Sequence, residues 1–314
     1  MPIDRYANQD ALDHISEIER RLALLRRYLT SLREEPEIDF EHGTAPALGE
    51  AAELGTPESA GPFFEGWLNT RDIAIKQLRG QMDLDSTMDR FAFTLGSKFD
   101  TLRPFYEAVK KRVGGAHSRP LSVQKMTARE RADVTGFGNE LLRHAFLKQF
   151  RYEKSKALVF FEPQEDGRVT NFFTGNWLER YVVLQVKEYL ATRLSKGQTV
   201  EVLVNPQVTL PDGRDFELDV LIAAQSGRGP IVMWFECKTG SDHTEYIARY
   251  KVAAESMEMS REQCALVLLK PLSAEEKLSN AAIAGMAILN LSDLPGFLER
   301  AVGAASRSPG IASY

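Results

Sequence analysis

The chain has 314 residues, 43% of them hydrophobic and 26% charged, a balance that describes an ordinary globular protein and permits two domains. A net charge of −5 excludes a general electrostatic sponge for nucleic acid, but not a nuclease, whose catalytic acids lower the total and whose basic surface is local. No apolar run approaches the ~18 residues of a membrane span, MPIDRYANQD lacks an apolar signal region, and Cys237 and Cys264 imply neither a metal spacing nor a disulfide framework; a cytoplasmic location is expected.

Residues 1–35 read as a coiled-coil helix. Ala11, Ile15, Ile18, Leu22, Leu25, Leu29 and Leu32 alternate four and three apart, with Glu and Arg between them. That favours a homodimer over an amphipathic helix packed on its own domain. Residues 36–62 are acidic, small and without period, and read as a linker. From 63 to 169 a mostly helical, winged-helix-like region is expected. FFEGWLNTRDIAIKQLRGQ and SKFDTLRPFYEAVKKRV show apolar residues three and four apart. Lys110, Lys111 and Arg112 close the second helix, where its dipole favours cations. TARERADVTGFGNELLRHAFLKQF reads as a helix broken near Gly136–Gly138, with Thr127 as cap and Glu130 three residues on. Two strands, in FRYEKSKALVFFEP and RVTNFFTG, complete the wing. Arg143, His144, Lys148, Arg151, Lys154 and Lys156 gather here with Phe150 and Tyr152 among them, a composition suited to phosphate contact and base stacking. The competing reading is an ordinary solvated face.

Residues 170–304 read as an α/β domain with a mixed sheet, and 305–314 as a disordered tail. GNWLERYVVLQVKEYLATRLS is a helix whose apolar stripe, Val183, Val186, Leu190 and Leu194, includes Glu179. An ionised acid on that face costs several kcal/mol unless paired. TVEVLVNPQVTL, at 199–210, is the first strand of the sheet. DFELDVLI and IVMWFECKT alternate with period two on either side of the turn-rich AQSGRGP, the signature of a hairpin. A turn centred between Gly227 and Arg228 sets Asp219 opposite Glu236 and Glu217 opposite Lys238. Two acids facing one another repel unless a positive group lies between them, a role open to a divalent cation. SDHTEYIARYKVAAESMEMS is the next helix, capped by Ser241 or Asp242, with Tyr246, Arg249, Tyr250 and Lys251 placed to face phosphate or solvent. CALVLLK is a buried central strand, EEKLSNAAIAG a helix and MAILNLS a last strand.

These phrases resemble a known family. A helix Glu, a strand Asp and Glu-x-Lys on the next strand form the signature of the PD-(D/E)xK nucleases, the restriction-endonuclease-like fold. More particularly, GNWLERYV, ELDV and ECKT are similar to the nuclease domain of CRISPR accessory nucleases activated by cyclic oligoadenylates. The likeness covers roughly residues 170–290. It implies a Mg²⁺- or Mn²⁺-dependent endonuclease acting on DNA or RNA, in antiviral defence or genome maintenance. Asp219 and Glu236 become metal ligands, Glu179 completes the site, and Glu217 and the backbone carbonyl of Cys237 are further ligands. Lys238 positions the attacking water and stabilises charge on the phosphate. Residues 1–160 show no strand–helix alternation before Ala157, so the family's Rossmann-type sensing domain and its cyclic-oligonucleotide activator are not carried over. The alternative function is a non-catalytic nucleic-acid-binding or assembly subunit on a nuclease-like platform.

Overall fold

A computed structural model describes residues 61–78, 85–115, 119–194, 199–226, 229–240 and 247–305. The heptad at 11–32, the linker as far as residue 60, the hairpin turn at 227–228, the proposed caps Ser241 and Asp242 with Tyr246, and the tail from 306 lie outside them. The described residues belong to one compact unit. It is an α/β structure of helices and mixed sheets.

Pro62 opens α1 (Pro62–Asn69), a first-turn position where its missing N–H costs nothing. The helix expected to continue to Gln81 ends there. Asp72 adopts a left-handed φ of 54°, and the chain enters β1 (Ala74–Leu78). The reason is period: Ile73 is buried and Ile75 half-buried, two apart, and both are β-branched. Then follow α2 (Ser86–Ser97), capped by the Asp85 carboxylate, and α3 (Phe99–Val113). β2 (Leu121–Ser122) precedes α4 (Ala128–Arg143), which begins in the expected Thr127–Glu130 capping box. α4 runs unbroken through Gly136 and Gly138. A Cβ on Gly138 would lie 2.0 Å from the Phe150 ring, so this glycine lets the next strand close on the helix. β3 (Leu147–Glu153) and β4 (Leu158–Pro163) form an antiparallel pair flanked by β2.

RVTNFFTG is not a strand. It forms α5 (Gly167–Asn171), capped by Asp166, and a π-helical turn over Phe172–Asn176. Val169, Phe172 and Phe173 are buried at spacings of three and one, so 169, 172 and 173 share a helical face rather than alternating. The turn leads into α6 (Trp177–Ala191). Beyond it lie β5 (Val200–Val204), β6 (Pro206–Thr209), β7 (Asp215–Glu217), β8 (Val220–Ser226) and β9 (Gly229–Lys238). α7 (Ile247–Ser256), β10 (Cys264–Leu268), α8 (Ala274–Ala284), β11 (Ala287–Leu289) and α9 (Leu294–Ala305) complete the fold.

The central sheet has the order β11-β10-β9-β8-β5. β9, β10 and β11 are parallel, while β8 and β5 are antiparallel to their neighbours, so the sheet is mixed as expected. Every residue of β10 is buried, the mark of a strand covered on both faces. On one face Val220, Ile222, Met233 and Phe235 meet α6 and α9; on the other Leu221, Val232, Trp234 and Leu266 meet α7, α8 and α1. The first core is continuous with α2–α4 and the small sheet: Trp177 stacks on Phe99 at 5.6 Å and Phe91 meets Phe172 edge-on at 6.4 Å. Among the described residues no helix is long and apolar enough to cross a membrane.

Candidate functional site

The hairpin register is the one the turn predicts. Val220 pairs with Phe235 and Ser226 with Gly229. The ladder stops at Val220, however, because the segment read as one strand, DFELDVLI, bends at Leu218–Asp219. Its partner bends with it. β5–β6 and β7–β8 together form one antiparallel hairpin whose register is unchanged across the bend, from Val200↔Ala224 to Thr209↔Asp215. At the corner Asn205 takes a left-handed φ of 53° and donates its backbone N–H to the Asp219 carbonyl, 3.0 Å. TVEVLVNPQVTL is therefore two strands in two sheets, the second sheet having the order β1-β6-β7.

The bend decides where each acid goes. Glu217 is carried into the side sheet, where it pairs with Gln207 and accepts its Nε2 at 3.2 Å, not with Lys238. Phe216 and Leu218 enter the opposite core from Val220 and Ile222, which an unbroken strand would not allow. Asp219 sits at the corner, next to β9. There its own N–H donates to Glu236 Oε1 at 3.1 Å, and the Cys237 N–H donates to Asp219 Oδ2 at 2.7 Å. Each carboxylate thus satisfies a backbone donor that the interrupted ladder leaves over.

Lys238 joins the pair. Its Nζ lies 2.9 Å from Asp219 Oδ2 and 3.1 Å from Glu236 Oε2. Asp219 and Glu236 are buried, at 8% and 1% exposure, while the Lys238 side chain is 34% exposed and forms the open side. Trp234 donates its indole N–H to Glu236 Oε1, 3.2 Å. Glu179 enters from α6 and accepts Asn205 Nδ2 at 3.0 Å. Burial, and after it the Asp219 charge, push the Glu179 carboxyl up to about 7. The same two causes raise Glu236. Burial would lower Lys238, but Glu236 and Asp219 outweigh it and hold the ammonium charged. Cys237 is raised by burial, and its thiol points into the first core.

Three carboxyl groups crowd one ammonium here, and burial with the Asp219 charge pushes two of them, Glu179 and Glu236, toward the protonated form. A purely structural role in capping the ladder would be served by neutral amides, without the several kcal/mol that burying ions costs. The donor chemistry, hard carboxylate oxygens, fits Mg²⁺ or Mn²⁺. Among the described residues no three His, Cys, Asp or Glu side chains already converge as a ligand set; Lys238 stands between Asp219 and Glu236.

The remaining expected residues are elsewhere. Arg143 pairs with Glu140, Lys148 with Glu165 at 2.8 Å, and Lys156 with Glu153 at 2.7 Å. Arg151 is 3.5 Å from Glu153 and lies over the Phe160 ring; Lys154 is exposed in the β3–β4 turn. Phe150 and Tyr152 pack against the core, so the aromatic face offered with these cations is Phe160. His144 contacts Arg90 and Phe91. Lys251 is 3.9 Å from Glu255 on α7, and Tyr250 is buried among Phe216 and Trp234, its hydroxyl raised to about 12 by burial and then Glu236. Asn205, which the sequence reading passed over, touches the site, and Lys110, read there only as a cation closing its helix, reaches the residue after Lys238, its Nζ 2.7 Å from Thr239 Oγ1 and 3.1 Å from its carbonyl. The Asn-Pro dipeptide at 205–206 was the available signal for the first.

No family model matches the chain, and no curated protein matches it. Among solved structures it is similar to protein VC1899 from Vibrio cholerae, with 16% identity and a TM-score of 0.45 over 76% of this chain and 61% of that one. It is also similar to Can2 from Sulfobacillus thermosulfidooxidans in complex with cyclic tetra-adenylate, with 12% identity and a TM-score of 0.46 over 76% of this chain and 60% of that one. The chain thus spans about three-fifths of the length of each.

Proposed function

We propose that the chain is a metal-dependent nuclease that hydrolyses phosphodiester bonds of DNA or RNA, built on a restriction-endonuclease-like domain with a winged-helix-like helical module. The observation that carries this reading is the buried Asp219–Glu236 pair held at 2.9 and 3.1 Å by one lysine, with a third acid, Glu179, raised by burial and then by the charge of Asp219. Asp219, Glu236 and Glu179 would hold Mg²⁺ or Mn²⁺, which supplies an activated water and withdraws charge from the scissile phosphate. Lys238, whose ammonium form Glu236 and Asp219 favour, would attract the phosphate and stabilise developing charge. Its exposed side is where the substrate arrives.

The cations of α4–β4 are proposed to follow the backbone of the nucleic acid. Their pairing with glutamates does not oppose this, since exposed ion pairs are worth only ~0–1 kcal/mol and a phosphate can replace the glutamate. Incubation with plasmid, single-stranded DNA and RNA in Mn²⁺ tests the proposal. Cleavage is expected, abolished by chelation and reduced by about 10² or more in Asp219→Ala and Lys238→Ala. Undiminished cleavage by Asp219→Ala, or none on any substrate, overturns it.

A further inference from the structure

We propose that Asn205 is the positioning residue of the acidic site, holding the Glu179 carboxylate toward Asp219 through its side-chain amide while its own backbone makes the corner that brings Asp219 there. The inference rests on the reading of Asp219, Glu236 and Glu179 as the cation-binding acids, and assigns the group that assembles them.

Three acids arrive here from three elements, and something must set the distance of the helix acid from the strand acids. Asp219 and Glu236 fix one another through the paired contacts between their carboxylates and the backbone N–H groups of Cys237 and Asp219. Glu179 stands on a separate helix and has no share in that exchange. Asn205 spans the gap. Its N–H holds the Asp219 carbonyl at 3.0 Å and its Nδ2 holds Glu179 Oε2 at 3.0 Å, so one residue grips both acids. The residue type suits both tasks. Asparagine enters the left-handed region more readily than other side chains, and here φ is 53°. Its amide donates to a carboxylate without adding charge, whereas an arginine or lysine would offset the negative excess that the cation needs. Pro206 follows, with no N–H to extend the ladder back toward the central sheet.

Backbone and side-chain roles are separable by substitution. Glycine keeps the left-handed corner and removes the amide; aspartate keeps the corner and turns the donor into a like-charged acceptor. Mn²⁺ binding is measured calorimetrically on the full chain without nucleic acid, alongside melting temperature and the kcat and KM of cleavage. N205G is expected to melt close to the parent while losing on the order of 10–100-fold in Mn²⁺ affinity, with kcat falling and KM for nucleic acid unchanged. N205D is expected to lose more, and carries the test by the same readouts should N205G unfold. Because the amide acts through Glu179, N205G added to E179Q is expected to cost no further affinity. Parental Mn²⁺ binding and cleavage in N205G and N205D, or independent losses in the double variant, overturn the assignment and leave the nuclease reading intact. A parent chain that neither binds Mn²⁺ nor cleaves overturns both.

Discussion

At the scale of single residues, Glu179 carries a burial cost that the proposed cation would relieve. Burial and the neighbouring Asp219 raise its carboxyl from 4.5 to about 7, with Asn205 and Lys238 offsetting part of the rise. The folded value lies above the unfolded one, so the fold takes up a proton, and stability falls as pH climbs from roughly 4.5 to 7. Glu179→Gln removes the titration. In chelator, its unfolding free energy relative to the parent, from chemical denaturation at each pH, is expected to be constant below pH 4.5 and to gain steadily up to pH 7, by roughly 1–3 kcal/mol after allowance for partial exposure. A difference that does not vary with pH refutes it. The acid itself was legible in the sequence, since it shares a helical stripe with Val183, Val186 and Leu190, all of which are buried. Glu217 was not: period-two alternation runs straight through Asp215–Ile222, and only the backbone at Asn205 and Asp219 reveals that the strand changes sheet there.

Elements were readable where local signals agreed, and misread where a tertiary partner decided. α4 began at its capping box, and the hairpin register followed from turn centring because every pair beyond Val220 lies in one buried sheet. RVTNFFTG carries conflicting signals: its aromatic, β-branched composition suggests a strand, whereas Asp166 caps a helix and the phenylalanines are needed on one face against Phe91 and Phe146. The glycines of α4 also defied local reading. They suggest a break, yet the helix needs one of them for packing. Gly138→Ala would drive a methyl to 2.0 Å from the Phe150 ring, while Gly136 has nothing within 4 Å. Chemical denaturation is therefore expected to show a loss of roughly 1–3 kcal/mol for Gly138→Ala, and a gain of up to ~1 kcal/mol for Gly136→Ala from helix propensity alone. Equal effects at the two positions count against the close approach of β3.

On the scale of the whole molecule, the segment from residue 170 does not own its core. Trp177, at the head of the helix that carries Glu179, stacks on Phe99 and meets Tyr106 edge-on; Tyr106 donates its hydroxyl to the Phe173 carbonyl; Lys110 holds Thr239, the residue after Lys238. All of these partners lie on α3, outside the segment. Stripping contacts from one large buried aromatic typically costs 3–5 kcal/mol, and a folded domain has only about 5–15 to lose. Trp177, Phe172 and Phe173 together would exhaust that margin. A fragment of residues 170–305 is accordingly expected to show no cooperative thermal transition and little near-ultraviolet dichroism, while residues 61–305 melt in a single step. A sharp melt from the shorter fragment would mean that α3 merely leans on the site. The expected outcome makes α3 part of it, since the helix that bears Glu179 and the strand end that bears Lys238 are then held in place by contacts from the same element.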